Sequence, residues 1–415
     1  MASVRAVNPD LLRIHAEDAG FVATQRDMAL EAPNYRLIDI YDLEQRLHGH
    51  FDALVLAGDA GCETARILAE KGDGESAGVL LHVGLCCRRK DRVDAAVALA
   101  HGAEDPSRFR DQLGLAAAWC PAETLSGVMS NWITSREPLL RWMALDVCGR
   151  HRVNPRHHLD AALDDLDAAV RDRAIRLAGE LGRVDCLDRI RAHSGCEADI
   201  AAVLLGDKGR ARQLAEAENC RSDARTARRV AELFPIPLPE AEAQDAIRSL
   251  LASSLTRRWG IVALGALGSA RTLPWLAEVM SEPLHARVTV SALEQITGVY
   301  VAHHGLELAE FPEAPENPVV DGDPTESLIE ANTPWPNPDK VAAWLDKNAA
   351  RFPLGERLLL GLAAWTFKGP PEPWVRFQAR YRAIALTQAL NKPAAPCPNW
   401  RSPVEFRGRT FTRAW

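Results

Sequence analysis

No C-x-x-C pair occurs among the nine cysteines of this 415-residue chain, so neither a zinc ribbon nor a compact disulfide framework is written into it. An odd number of scattered cysteines reads as reduced thiols in a cytoplasm. No stretch approaches the ~20 uncharged apolar residues of a membrane span, and the start, MASVRAVNPDLLRIHAEDAG, lacks the apolar core of a signal peptide. The expectation is a cytoplasmic protein with no membrane partner. Basic charge is also in deficit. Lys and Arg number 49 against 56 Asp and Glu, a formal net charge of -7, which is the wrong sign for neutralising phosphates, so no nucleic-acid partner is expected. The P-loop, H-E-x-x-H and G-x-G-x-x-G signatures are all missing. His157-His158 and His303-His304 have no paired cysteines or paired acids at ligand spacing, so neither a metal nor a cofactor is expected. Cys86, Cys87, Cys120 and Cys148 sit in apolar helical text and read as small buried hydrophobes.

What is present is ample core material, 47% hydrophobic against 25% charged residues, which is the balance of a globular chain. At ~150 residues per domain the length suggests about three domains, unless a repeat makes that count meaningless. A repeat is there. DAAVRDRAIRLAGELG (167–182) lies on EPLLRWMALDVCGR (137–150) at an offset of 30, with Arg171 on Arg141, Ala174 on Ala144 and Gly179 on Gly149. LTRRWGIVALGALG (255–268) aligns Arg257, Gly265 and Gly268 with Arg171, Gly179 and Gly182, and HARVTVSALEQITG (285–298) repeats Arg287 and Gly298 thirty residues later. Arg110 stands 31 residues before Arg141. Within the clearest copy Val170, Ala174, Leu177, Ala178 and Leu181 form a single helical stripe, opposite Asp172, Arg173, Arg176 and Glu180. Glycines such as Gly182 and Gly268 end these helices. A second apolar helix separates successive copies, as in AETLSGVMSNWI, DCLDRIRAHSG and RTLPWLAEVM.

The pattern D-x-x-V-R-x-x-A-x-x-x-A-G, carried by Asp167, Val170, Arg171, Ala174, Ala178 and Gly179, resembles the HEAT repeat. That resemblance implies an all-α solenoid of about eight helix pairs over 59–300, with an N-terminal helical cap (1–58) and a concave groove. Leu43, Leu47, Phe51 and Leu54 supply the apolar stripe of the cap. The texts His15-Ala16-Glu17, Ala32 to Leu37, Leu43-Glu44, His50-Phe51-Asp52, Trp335-Pro336 and Leu359-Leu360-Gly361 also resemble an uncharacterised bacterial HEAT-repeat family whose genes accompany type VI secretion clusters. The resemblance implies a setting and supplies no catalytic residue.

Residues 301–336 read as an acidic, proline-rich linker: Leu306 to Glu330 holds eight acids, four prolines and no Lys or Arg. The remainder, 337–415, reads as a partly irregular helical extension. Its last eighteen residues carry four arginines against Glu405, interleaved with Trp400, Phe406, Phe411 and Trp415. Burial of Phe406, Phe411 and Trp415 against the C-terminal repeats is the expected arrangement, with the arginines facing the acidic segment.

The arginine series Arg110, Arg141, Arg171, Arg257 and Arg287 reads as a structural ladder, because in HEAT arrays this position bonds between adjacent repeats. Arg173, Arg176 and Arg258, with Arg407, Arg409, Phe411 and Trp415 of the tail, are the candidate binding residues. The functional expectation is a protein-binding scaffold or adaptor, holding a protein partner in its groove and serving cargo or assembly of a type VI secretion system. Two HEAT-like enzyme classes are the alternatives. An alkyl-base glycosylase would use Trp142, Trp259 and Asp146 at the floor of a DNA groove, and a phycobilin lyase would act on pigment proteins.

Overall fold

The computed structural model describes residues 8–72, 74–217, 223–313, 315–364 and 377–404. Helix accounts for 69% of it, about twice the usual share, and strands are almost absent: the fold is all-α. The chain divides into two compact units. Among the described residues the first holds 8–29, 38–177 and 401–404, and the second holds 30–37 and 178–400. No described helix is long and apolar enough to cross a membrane.

The helices run α1 (Pro9–Ala29), α2 (Leu37–Leu56), α3 (Asp59–Ala69), α4 (Gly74–Cys86), α5 (Lys90–His101), α6 (Pro106–Ala118), α7 (Ala122–Ser126), α8 (Met129–Ile133), α9 (Pro138–His151), α10 (His157–Ala162) and α11 (Ala168–Glu180). They continue as α12 (Leu187–Arg191), α13 (Cys196–Leu204), α14 (Lys208–Glu216), α15 (Ala224–Leu233), α16 (Glu240–Leu251), α17 (Arg257–Leu267), α18 (Leu273–Val279) and α19 (Ala286–Thr297). The last four are α20 (Pro318–Asp321), α21 (Pro324–Ala331), α22 (Pro338–Asn348) and α23 (Gln378–Asn391).

One start signal recurs: an acid or asparagine followed by proline. Asp105 accepts from the Ser107 and Arg108 amides ahead of α6, Asp323 from Thr325 and Glu326 ahead of α21, and Asn337 from Lys340 ahead of α22. The side chain satisfies amides that the first turn leaves unbonded, and proline at the first helical position has no amide to satisfy. The stripe residues Val170, Ala174, Leu177, Ala178 and Leu181 are all buried, as are Leu43, Leu47, Phe51 and Leu54 of α2.

In the first unit α4 packs on α6 and α6 on α9, with α5 against both α4 and α6. In the second, α15 packs on α17 and α17 on α19, while α16 and α18 lie against α17 and α19 respectively. The segment read as an acidic linker contains α20 and α21, and Glu326 of α21 is wholly buried.

Among the described residues a single hairpin stands out. Strands β1 (Leu358–Leu359) and β2 (Leu362–Ala363) pair antiparallel across Leu360–Gly361, whose φ values of 54° and 79° are those a tight two-residue hairpin turn requires. It closes the ends of two helices: Leu358 N donates to Gly268 O at 2.7 Å and Leu360 N to Gln295 O at 2.7 Å. Gly268 and Gly298, in left-handed conformation at φ 74° and 72°, end α17 and α19 there. A Cβ on either would overlap the carbonyl oxygen of Leu358 or Leu360, so glycine is needed both for its φ and for the close approach.

Candidate functional site

Each ladder arginine reaches from its own helix to a neighbouring segment. In the first unit Arg141 and Arg171 converge on Asp165: Arg141 donates from Nε and Nη2 to the carboxylate at 2.7 and 2.8 Å, and Arg171 Nη1 donates to the Asp165 backbone oxygen at 2.8 Å. Hydrogen bonding from Arg141 holds the Asp165 carboxyl below the usual carboxylate range. Arg110 lies over the Trp142 ring, 4.8 Å from its centroid. In the second unit Arg257 donates to Glu282 at 2.7 Å, and Arg287 donates to Thr333 O at 2.9 Å with its guanidinium 5.1 Å from the Trp335 centroid.

The candidate binding arginines are placed differently from their expected surface. Arg173, read on the solvated face of α11, is buried, with Nε donating to Asp146 at 2.9 Å; Arg150 Nε donates to the same carboxylate at 2.6 Å. Burial pushes the Asp146 carboxyl up, and the two guanidiniums outweigh it and hold the group low. Asp146, Trp142 and Trp259 all lie inside, so the three residues proposed for a DNA-groove floor face the interior of their units. Arg258 is also buried, bonded to Glu326 and Glu330. Arg176 is half-buried on α11. Arg407, Arg409, Phe411 and Trp415 lie outside the described residues.

Four described tail residues bear on the expected fold-back, and they join N-terminal helices of the first unit. The buried pair Arg26–Glu44 (2.8 Å) receives them: Arg26 Nη2 donates to Arg401 O at 2.8 Å and Ser402 O at 3.2 Å, and Glu44 accepts from Val404 N at 2.8 Å. Phe406, Phe411 and Trp415 fall outside the described residues.

The second unit holds an unbroken alternation of buried and half-buried acids and bases. Glu330 accepts from Arg258 at 2.8 Å, Arg258 shares Glu326 with Arg228, Arg228 approaches Glu232 at 3.8 Å, and Arg382 bridges Glu232 to Glu31. The series ties α17, α21, α15, α23 and the segment 30–37 together. Beside it lies a cavity of about 100 Å³, lined by Glu232, Glu294, Tyr300, Phe377, Arg380 and Arg382 among others. Phe377 stacks on Tyr300 at 4.7 Å, and Arg380 lies over both rings while donating to Val299 O at 3.2 Å. Burial pushes the Glu294 carboxyl up to about 7, although its Oε1 accepts from Val301 N at 2.8 Å. A cavity of this size falls below the ~300–1,000 Å³ of ordinary small-molecule pockets and suits a few waters between fixed charges.

No family model, curated protein or solved structure matches the chain.

Two features escaped the sequence reading. The first is a thiol cluster in the first unit, where His82, Cys86 and Cys120 come together. The offset of four between His82 and Cys86 was the available signal, since it puts both on one helical face. The second is the outer face of α1. Leu12, Ala16, Ala19 and Val22 are buried, yet Leu11, Ile14 and Phe21 remain 51%, 45% and 61% exposed. Ile14 and Phe21 are seven residues apart, two turns along one line, with Leu11 a turn earlier. Glu17 and Asp18, three and four residues after Ile14, lie between it and Phe21, Asp10 precedes Leu11, and Arg13 bonds Glu17 at 2.8 Å.

Proposed function

We propose that this chain is a protein-binding scaffold built of HEAT-type helix pairs, stacked within each of its two units. Two observations support the stacking: alternate helices pack side by side through α4, α6 and α9 and through α15, α17 and α19, and the recurring arginine position ties each helix to a neighbouring segment. From the resemblance of the N-terminal text we infer assembly or cargo handling for a type VI secretion apparatus as the setting.

The observation that carries protein binding is the second apolar line of α1. A helix that already buries one face has no internal use for Leu11, Ile14 and Phe21 on the other, and an exposed aromatic at the end of an aliphatic line is the composition of an interface anchor. The acids set among these side chains select the partner's chemistry: an amphipathic segment that presents Lys or Arg with its apolar stripe. The test compares the intact protein with an Ile14→Asp/Phe21→Asp double variant as bait in a native extract. Because both side chains are exposed, melting should be unchanged, and recovery of the partner should fall about tenfold or more. Undiminished recovery by the variant overturns this surface as the binding site.

A further inference from the structure

Cys86 closes α4, and Cys120 follows the end of α6, which packs against it. Their sulfurs are 3.9 Å apart, in van der Waals contact. His82, one turn before Cys86, lies between the two: Nε2 is 3.6 Å from the Cys86 sulfur and Nδ1 is 3.4 Å from the Cys120 sulfur. The ring is fixed from two sides. Phe51 stacks on it at 3.7 Å and 16°, and Nδ1 lies 3.1 Å from Ala116 O, which selects the tautomer with the proton on Nδ1 and leaves the Nε2 lone pair towards Cys86. Cys120 and His82 are buried, whereas Cys86 is partly exposed. The two thiols are thus driven apart in acidity. Hydrogen bonding from Cys120, followed by His82, holds the Cys86 thiol well below its ordinary value against burial, while burial raises Cys120. The adjacent pair Cys62 and Cys87 forms an internal contrast: burial, then Cys62, push the Cys87 thiol up to about 12.

We propose that Cys86 and Cys120, with His82 between them, form a hydroperoxide-reactive dithiol that closes to a disulfide. The Cys86 thiolate attacks the terminal oxygen of a hydroperoxide. An S–O bond forms, the O–O bond breaks, and the departing alkoxide or hydroxide takes a proton from water. Cys86 is then a sulfenic acid, oxidised by two electrons. Cys120 attacks the Cys86 sulfur, 3.9 Å away, as its own proton passes to the sulfenic hydroxyl; the S–S bond forms, the S–O bond breaks, and the hydroxyl departs with that proton as water. The partly exposed, acidic thiol meets the oxidant, and the buried one resolves it. The straddling of the imidazole by the two sulfurs favours this over a metal site, because each sulfur engages a different ring nitrogen and a single ion would use only one.

The test treats the reduced, full-length protein with one equivalent of hydrogen peroxide and maps the cysteines by mass spectrometry. Two thiols should be lost per peroxide, with a Cys86–Cys120 disulfide as the product. Cys120→Ser should stop at a sulfenic acid on Cys86 that dimedone traps, and Cys62→Ser/Cys87→Ser should react as the unaltered protein does. Before oxidation, Cys86 should alkylate at least about tenfold faster than Cys87 at neutral pH, from its larger thiolate fraction. Oxidation spread over the cysteines by exposure, or none at Cys86, overturns the proposal. So does stoichiometric zinc binding that needs all three side chains and leaves them inert to peroxide.

Discussion

Removal of the Glu326 carboxylate tests the organising role of the buried ion series in the second unit. Glu326 is wholly buried and accepts from Arg228 Nη2 at 2.8 Å and from Arg258 Nε and Nη2 at 3.0 and 2.9 Å. Glu326→Ala would leave Arg228 with Glu232 at 3.8 Å and Arg258 with Glu330 at 2.8 Å. Breaking a buried pair from one side costs about 3–5 kcal/mol, and these residual partners point to the lower end. Titration leads to the same magnitude. Burial pushes Glu326 up, but the two guanidiniums overcome it and hold the group at about 2 against an ordinary 4.5. At ~1.4 kcal/mol per pH unit that gap corresponds to about 3 kcal/mol. Because the folded value is the lower one, this contribution is fully present above pH ~4.5 and is lost as pH falls towards ~2. Urea unfolding followed by circular dichroism at pH 7 should therefore show Glu326→Ala less stable by about 3 kcal/mol. The gap between the unaltered protein and Glu326→Gln should narrow as pH falls from 5 to 2.5. A Glu326→Ala loss below about 1 kcal/mol, or a gap to Glu326→Gln that does not change with pH, would refute the reasoning.

Glu294 should act in the opposite sense: burial raises it to about 7 in the folded state, so its contribution is present below pH ~4.5 and lost as pH rises to ~7, on the order of 3 kcal/mol, and Glu294→Gln should abolish that slope in urea titrations. Gly268→Ala should cost about 2 kcal/mol or more in thermal unfolding, from left-handed strain plus overlap with the Leu358 carbonyl; an unchanged melting temperature would mean that the hairpin does not seat on α17. Arg141→Ala should lower stability by about 1–3 kcal/mol through the lost bidentate bond to Asp165 while leaving partner recovery by the folded protein intact. Deleting 401–415 removes two acceptors from Arg26 and one donor from Glu44, so melting should fall by the equivalent of about 1–3 kcal/mol; unchanged melting would show that 401–404 are not held there.

Much of the helical order could be read from the sequence because its causes are local. The α11 stripe follows the helical period, Gly182 and Gly268 end helices by their φ, and Asp-Pro or Asn-Pro starts them. The acidic stretch 306–330 misled for the same reason. It contains no Lys or Arg, so local composition reads as a linker, while the counter-charges of Glu326 lie on Arg228 and Arg258, 98 and 68 residues away. His82 and Cys86 share a helix, but Cys120 stands 34 residues beyond Cys86. Arg173 stands outside the apolar stripe of α11 and still points inward, because the acid it meets belongs to α9, 27 residues earlier.

The ladder shows where local and long-range information meet. Arg141 pairs with an acid 24 residues ahead and Arg257 with one 25 ahead, which is the distance from the start of one helix to the turn before the next copy. At that offset in the sequence Arg171 has Gly195 and Cys196, and Arg287 has Phe311 and Pro312. Both then donate to backbone oxygens, of Asp165 and of Thr333. Arg110, with Thr134 and Ser135 at the same offset, lies over Trp142. The arginine is thus kept where the matching acid is not, and its donors take whatever acceptor or ring the neighbouring segment offers. A buried or half-buried guanidinium with five donors tolerates that exchange, which a carboxylate awaiting one particular cation does not. Arginine therefore keeps the thirty-residue period visible, whereas the answering acid is there only for Arg141 and Arg257, and the acceptors of the others are found only in three dimensions.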